Sequence, residues 1–252
     1  MSQGDFHFST KVKDDEPRVT RERVKQAYEA LHARRVFQSA RGYYEWLVSL
    51  LRTADSGLRI SKGEAPGVPR LLDVGCGSGE MLRAARAAGM AVAGLDISET
   101  GIAQARAKVP DADLRVASTE EFPFPDAHFD YIVSVGSLEH FMDPGHGLQE
   151  MRRVARPGAR VLLTLPNRQF LFAWVSLLRQ AVARDQSQPL ERMASREEWH
   201  ELIEGNHLRI LRVYKDNQFF LPGAALQALV RGIGRLIPMR TAYVLVFLAE
   251  PE

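Results

Sequence analysis

The chain has 252 residues, with 33 Lys+Arg against 31 Asp+Glu and a formal charge of +2. Its 45% hydrophobic and 25% charged content is that of a globular chain long enough for a packed core, which excludes a disordered or collagen-like chain. The near-zero balance argues against a nucleic-acid binder, and a single cysteine, Cys76, excludes an internal disulfide and points to a reducing compartment.

Residues 1–16 are polar and carry no apolar run of the kind a secretory signal needs, so a disordered N-terminus is expected there. Val24, Ala27, Tyr28 and Leu31 recur at helical spacing, as do Tyr43, Trp46, Leu47 and Leu50. Two amphipathic helices are therefore expected within an N-terminal helical segment, 17–62, on the substrate or lid side. A Gly/Pro/Ser-rich linker, 56–69, leads from it to the main domain, 66–252.

From Arg70 strands and helices alternate. Leu71–Val74 reads as a short apolar strand, Glu80–Ala88 as a helix stopped by Gly89, and Ala91–Leu95 as a second strand. Ser98 is placed to cap a helix ending before Pro110. Leu114–Ala117 and Tyr131–Val135 read as further strands, and Asp143-Pro144 as the cap and first residue of a helix ending at Pro157-Gly158. Arg160–Leu165 is the fifth strand. This rhythm predicts an α/β domain with a parallel sheet covered on both faces. After Pro166 it breaks: a very apolar helix at 170–183, a capping box Ser195-x-x-Glu198, a strand Leu208–Tyr214, an amphipathic helix at 223–237 and a final strand Thr241–Ala249. Residues 167–207 thus read as a helical lid insertion. The longest apolar stretch, 170–178, falls far short of the roughly 20 residues that cross a bilayer, so a cytoplasmic protein without a transmembrane segment is expected.

The sharpest chemical signal is Asp73-Val74-Gly75-Cys76-Gly77-Ser78-Gly79-Glu80, just after a buried strand. Alternate glycines let the backbone turn tightly and approach a ligand with no Cβ in the way. A dinucleotide fingerprint needs a third glycine where Glu80 stands, and a Walker loop needs Lys-Ser/Thr; both are missing. An acidic residue at the helix start suits a ligand bearing positive charge better than a pyrophosphate. The second signal is Asp96 in Gly94-Leu95-Asp96-Ile97-Ser98, where a carboxylate accepts both hydroxyls of a ribose; the other reading is that it caps the next helix.

These residues resemble the class I S-adenosylmethionine-dependent methyltransferases, in particular the ubiquinone-biosynthesis-type and small-molecule or glycan O-methyltransferases. Five pieces match in order: the Asp73–Gly79 loop, Asp96, Glu120–Asp130, Ser137–Pro144, and Arg156-Pro157-Gly158 with Leu165-Pro166-Asn167 after the next strand. The resemblance implies a Rossmann-like fold of seven strands, mostly parallel, with the last strand inserted antiparallel. It implies S-adenosylmethionine as cofactor, with Asp73, Gly75, Cys76, Gly77 and Gly79 near its methionine part and Asp96 and Ile97 near its ribose. Ser118 and Thr119 would lie by the adenine, and Ser134 and Gly136 by the sulfonium. Ser118 departs from the pattern, standing where the subgroup carries an acidic acceptor for the adenine amino group. Cys76 reads as a small structural side chain rather than a nucleophile.

Methyl transfer needs alignment and exclusion of water, and a hydroxyl acceptor benefits from a general base. His140, just past the fourth strand, is the candidate catalytic base, its other reading being a loop-ordering residue. Glu139, His140, Asp143 and His146 match no metal-ligand spacing, so no metal is expected. Tyr28, Tyr43, Tyr44, Phe170, Phe172 and Trp174 are candidates to wall a pocket for a small-molecule or lipid-linked acceptor. The helix at 223–237, with Arg231 and Arg235 on one face, suits peripheral membrane contact or a subunit interface in a homodimer, a monomer being equally compatible. The competing functions are N- or C-methylation and a non-catalytic S-adenosylmethionine-binding protein. A nicotinamide-dependent oxidoreductase shares the broad sheet, but the glycine spacing opposes it.

Overall fold

The computed structural model describes residues 20–33, 41–53, 67–119, 121–169, 190–216 and 238–252. The expected disordered N-terminus and the expected helices at 170–183 and 223–237 lie outside them. In chain order the elements are α1 (Arg21–Ala33), α2 (Arg41–Thr53), β1 (Arg70–Val74), α3 (Glu80–Ala87), β2 (Ala91–Asp96), α4 (Glu99–Lys108), β3 (Asp113–Val116), β4 (Phe129–Val135), α5 (Pro144–Val154), β5 (Ala155–Pro166), α6 (Arg196–Gly205), β6 (Leu208–Asp216) and β7 (Val244–Pro251). Short 3₁₀ turns at Leu138–His140 and Met239–Thr241 complete them.

The seven strands form one sheet in the order β3-β2-β1-β4-β5-β7-β6. β1 to β5 pair in parallel, whereas β7 runs antiparallel between β5 and β6. The strand order reverses between β1 and β4, so a crevice opens at the carboxyl ends of these two strands, the switch point where ligands bind in such sheets.

Strand periodicity explains the two-sided burial. Leu72, Ile132, Leu163 and Phe247 face one core with α5 and α6. Their chain neighbours Leu71, Val133, Leu162 and Leu248 face the other, with α2, α3 and α4. Strands covered on both faces read as continuous apolar runs, which is why Leu71-Leu72 and Val161–Leu163 showed no alternation.

Helix starts follow their caps. Ser98 Oγ accepts from Gly101 N at 3.0 Å, and Asp143 Oδ1 accepts from His146 N at 2.9 Å with Pro144 at the first position. Ser195 and Glu198 form the reciprocal capping box: Ser195 Oγ accepts from Glu198 N at 3.2 Å and Glu198 Oε2 from Ser195 N at 2.6 Å.

Several boundaries differ from the sequence expectation: β4 starts at Phe129, β6 runs on to Asp216, and β7 starts at Val244 after a 3₁₀ turn that takes in Thr241; the largest shift is between α5 and β5. α5 stops at Val154, not at Pro157-Gly158. Ala155 instead pairs with Phe129 on β4, and the register slips before Arg160 meets Tyr131. Arg156 precedes a proline and is pushed out of the helical region, so β5 starts five residues earlier than the apolar pattern indicates.

Trp199 on α6 is fully buried and its Nε1 donates to the Pro166 carbonyl at 2.8 Å, joining the helix to the end of β5. Trp199→Ala is expected to lower the unfolding free energy by about 3–5 kcal/mol in urea titration, and Trp199→Phe by clearly less. Equal losses would mean that the hydrogen bond outweighs the packing.

Candidate active site

The site is built outward from the carboxyl ends of β1 and β2. The main chain turns sharply after Val74: Gly75 N and Cys76 N both donate to the Leu95 carbonyl, at 2.9 and 3.0 Å. Gly75 has φ +77°, and a Cβ there would lie 2.5 Å from Ser137 Oγ, so no side chain fits. Asp96, buried at the end of β2, holds the loop with both oxygens: Oδ2 accepts from Gly77 N at 2.8 Å and Oδ1 from Ser98 N at 2.9 Å. Since Ser98 caps α4, Asp96 is not that helix's cap. Cys76 turns its Sγ into the core beside Gly94 and Leu82, so its backbone alone borders the loop. Glu80 at the start of α3 is neutralised by Lys108 at 2.7 Å and Arg83 at 3.1 Å.

The other predicted residues gather around this loop. Ile97, Ser118 and Thr119 are half-buried next to the ends of β2 and β3, where Ala117 N donates to the Asp96 carbonyl at 3.0 Å. Ser134 is buried in β4, and Gly136 follows that strand with its N–H on Thr164 Oγ1 at 2.8 Å. Beyond it, His140 Nδ1 is bonded to the Leu190 carbonyl, and its Nε2 stands 3.8 Å from Glu139 Oε1.

Three buried oxygens at this crevice lack a hydrogen-bond partner: Asp73 Oδ1, Ser134 Oγ and Glu139 Oε2. Leaving such groups buried costs about 1–3 kcal/mol each, so a polar ligand that pairs them recovers that cost. Burial pushes the Asp73 carboxyl up to about 8, with the Asp96 charge adding to it. Asp96 and Glu139 are likewise raised by burial, Asp96 being drawn back by the Ser98 N–H, the His32 imidazole and the Gly77 N–H, and Glu139 by His140. Clustered carboxyls held above their ordinary range in a low-dielectric crevice favour a cationic guest.

Some contributions were not legible in the sequence. Arg192 clamps the loop after His140, its guanidinium donating to the Phe141 and Met142 carbonyls while its N–H donates to the Glu139 carbonyl at 3.0 Å. From α1, His32 lies against the glycine loop, and nothing in the sequence singled it out. Tyr28, a candidate from the sequence to wall an acceptor pocket, sets its ring edge-on to His140, with centroids 5.9 Å apart. Of the residues expected to wall an acceptor pocket, Tyr43 belongs to the core with Leu47 and Leu51, and Tyr44 packs on the same cluster; α2's apolar stripe covers the sheet. Phe170, Phe172 and Trp174 lie outside the described residues.

A glycine loop fastened to a carboxylate at the end of the second strand, with buried acidic groups beside it, is the arrangement in which Rossmann-like sheets bind nucleosides at a switch point. Residues 72–163 match the methyltransferase domain family. Over 101 residues the chain is 44% identical to 27-O-demethylrifamycin SV methyltransferase of Amycolatopsis mediterranei, 37% of each chain. Over 106 residues it is 36% identical to the ubiquinone biosynthesis O-methyltransferase of Aromatoleum aromaticum, 40% of this chain and 45% of that one. The chain thus spans less than half the length of these curated relatives. Among solved structures, magnesium protoporphyrin IX methyltransferase from Synechocystis with bound SAH has the same fold, with a TM-score of 0.63 at 15% identity over 92% of this chain and all of that one. Residues 72–163 thus match a methyltransferase domain in sequence, the sheet has the fold of a methyltransferase solved with bound SAH, and S-adenosylmethionine is the cofactor these similarities indicate. The unpartnered Asp73 oxygen and the glycine-rich loop, which admits no Cβ at Gly75, fit its amino group and methionine portion.

The raised Asp73 carboxyl gives this fit a proton signature. At pH 7 the group is mostly protonated, and an ammonium beside it favours the carboxylate. Binding of S-adenosylhomocysteine at pH 7 is therefore expected to release a proton, approaching one per ligand and fading well above pH 8. Calorimetry in buffers of different ionisation enthalpy reads this directly; proton uptake would contradict it. Without ligand the sign for stability is the reverse: the folded chain holds a proton that the unfolded chain loses near 3.8. The Asp73 contribution thus falls as pH rises from about 4 to about 8.

Proposed function

We propose that the chain transfers a methyl group from S-adenosylmethionine to a hydroxyl of a small-molecule, natural-product or lipid- or glycan-linked acceptor. The observation that carries this reading is the fixed state of His140. A carbonyl oxygen only accepts, so the bond to Leu190 keeps the proton of the neutral ring on Nδ1 and leaves the lone pair on Nε2. That nitrogen stands 3.8 Å from the buried Glu139 carboxyl, and the reading directs it to the acceptor. O-methyltransferases among the partial relatives support the choice of oxygen.

When bound, the cofactor supplies an electrophilic methyl on a sulfonium. In this proposal Asp73 and the Gly75–Gly79 backbone hold its amino-acid end, Asp96 accepts from its ribose, and Ile97, Ser118 and Thr119 flank its base. Ser134 and Gly136 lie nearest the transfer point. His140 Nε2 takes the acceptor's proton, and Glu139 steadies the resulting imidazolium, by the logic of a base held by a third group. Among the described residues no helix is long and apolar enough to cross a membrane. The proposal takes the enzyme to be cytoplasmic and to work as a monomer or homodimer.

Calorimetric titration with S-adenosylhomocysteine, with NAD as control, tests the cofactor half. Micromolar binding that weakens about a hundredfold in Asp96→Ala is expected, and no binding by ligand-free protein would overturn the reading. The base is tested on any acceptor that turns over. His140→Ala is expected to lower kcat at least roughly tenfold with affinity for S-adenosylhomocysteine unchanged, and unaltered turnover would return His140 to ordering its loop.

A further inference from the structure

The cofactor of the proposed reaction carries two positive centres, an ammonium on its amino-acid end and a sulfonium at the methyl to be transferred. Among the described residues, two buried carboxyls have an oxygen without a hydrogen-bond partner, Asp73 Oδ1 and Glu139 Oε2. They stand at the ends of adjacent strands. Asp73 pairs with Val133 where β1 runs beside β4, and Glu139 lies in the 3₁₀ turn that follows β4. Ser137, just before that turn, donates its hydroxyl to the Gly75 carbonyl at 3.3 Å and ties the two loops together. The Asp73 oxygen fits the ammonium, which leaves Glu139 and the sulfonium.

Glu139 is only 6% exposed, and its ion pair among the described residues is with His140, whose Nε2 is 3.8 Å from Oε1. The same oxygen lies 3.8 Å from where a Cβ on Gly136 would be. Gly136 is pinned to β5 by its N–H, which meets the Thr164 hydroxyl at 2.8 Å and carbonyl at 3.2 Å, and it is a residue that the proposed function sets nearest the transfer point. The turn itself is held through the backbone, the Glu139 carbonyl accepting from Arg192 N at 3.0 Å. Burial raises the Glu139 carboxyl above its ordinary range; the His140 ring opposes this and Glu191 adds to it. A buried carboxylate is costly unless a cation is brought beside it, which restores the charged form.

We propose that Glu139 is the counter-ion of the sulfonium and keeps that role as the charge moves. The inference rests on the cofactor and base readings above. In the transfer the S–CH3 bond breaks with its electron pair left on sulfur. An oxygen lone pair of the acceptor forms the new O–CH3 bond, and the acceptor's proton passes to His140 Nε2. One positive charge thus leaves the sulfur and one appears on an imidazole whose Nε2 is 3.8 Å from Glu139 Oε1. A single fixed carboxylate faces the cation at both ends of the step, with no side chain having to reorient. Before transfer the ring is neutral in this scheme, so Glu139 discriminates the cationic cofactor from its uncharged thioether product.

The test is calorimetric titration of the full chain with S-adenosylmethionine, S-adenosylhomocysteine and sinefungin, in which an amine-bearing carbon replaces the methylated sulfur. Wild type, Glu139→Gln and Glu139→Asp are compared, with thermal unfolding as a check on folding. Wild type is expected to bind both cationic ligands at least about tenfold more tightly than S-adenosylhomocysteine. Glu139→Gln is expected to lose most of that preference while its affinity for S-adenosylhomocysteine stays within about twofold of wild type. Glu139→Asp, which keeps the charge on a shorter stem, is expected to recover part of it. An equal loss on all three ligands overturns the proposal and leaves Glu139 ordering its turn, and so does a Glu139→Gln that keeps the preference. Should Glu139→Gln fail to fold, a wild type without preference, or a Glu139→Asp weakened equally on all three ligands, overturns it as well. A wild type that binds none of the three removes the cofactor reading itself, an outcome distinct from these.

Discussion

The site depends first on the two hydrogen bonds that Asp96 accepts from Gly77 and Ser98. One carboxylate thereby fixes the middle of the glycine loop, the end of β2 and the residue that caps α4. Charge-assisted bonds of this kind are about twice as strong as neutral ones, and their burial keeps them so. With the loop tied down, Gly75 can approach Ser137 after β4 within a distance that admits no Cβ, which draws the ends of β1 and β4 together. With α4 placed, Glu29 finds its first-turn N–H groups and α1 follows.

That arrangement carries a tension that the fold does not relieve by itself. Asp73 and Asp96 are neighbours on adjacent strands, both buried, and the Asp96 charge adds to the cost of ionising Asp73. Asp96 is compensated by two N–H groups and the His32 ring, whereas Asp73 Oδ1 is not. In the proposed function the uncompensated member of the pair is the one that meets the ligand's positive charge. Stability is held back at this point in favour of binding, which is the usual signature of a functional crevice.

Much of this was readable in the sequence, for local reasons. The strands at Leu71, Ala91 and Tyr131 are apolar runs ended by turn residues, and the caps at Ser98, Asp143 and Ser195 satisfy N–H groups three residues away. The glycine loop and Asp96 announce themselves by spacing. The antiparallel insertion of β7 was expected from resemblance alone, since no local pattern in Val244–Pro251 tells its direction. What stayed hidden depends on long separations. His32 meets Gly101 and Gln104 some seventy residues on, and a lone histidine beside an apolar stripe gives no sign of that. Tyr43 misled in the opposite way: aromatics at helical spacing serve a pocket or a core equally well, and only the sheet beneath α2 decides. The early start of β5 is a pairing event with Phe129, again invisible to a local period.

The two halves of the crevice are held by different means. The cofactor side is fixed by backbone bonds of adjacent strands and loops: Gly75 and Cys76 to Leu95, Gly77 to Asp96. The transfer side hangs on residues 190–192, where the Leu190 carbonyl sets the tautomer of His140 and Arg192 fastens the loop that carries it. Nearby, the Asn167 side chain is bonded to the Arg240 and Ala242 carbonyls and its backbone bridges to Ala194. The contacts that hold His140 thus run through residues 190–192, apart from those that hold Asp96. The fold in this way places the two functions proposed for the crevice, cofactor grip and proton removal, on two separately fastened loops.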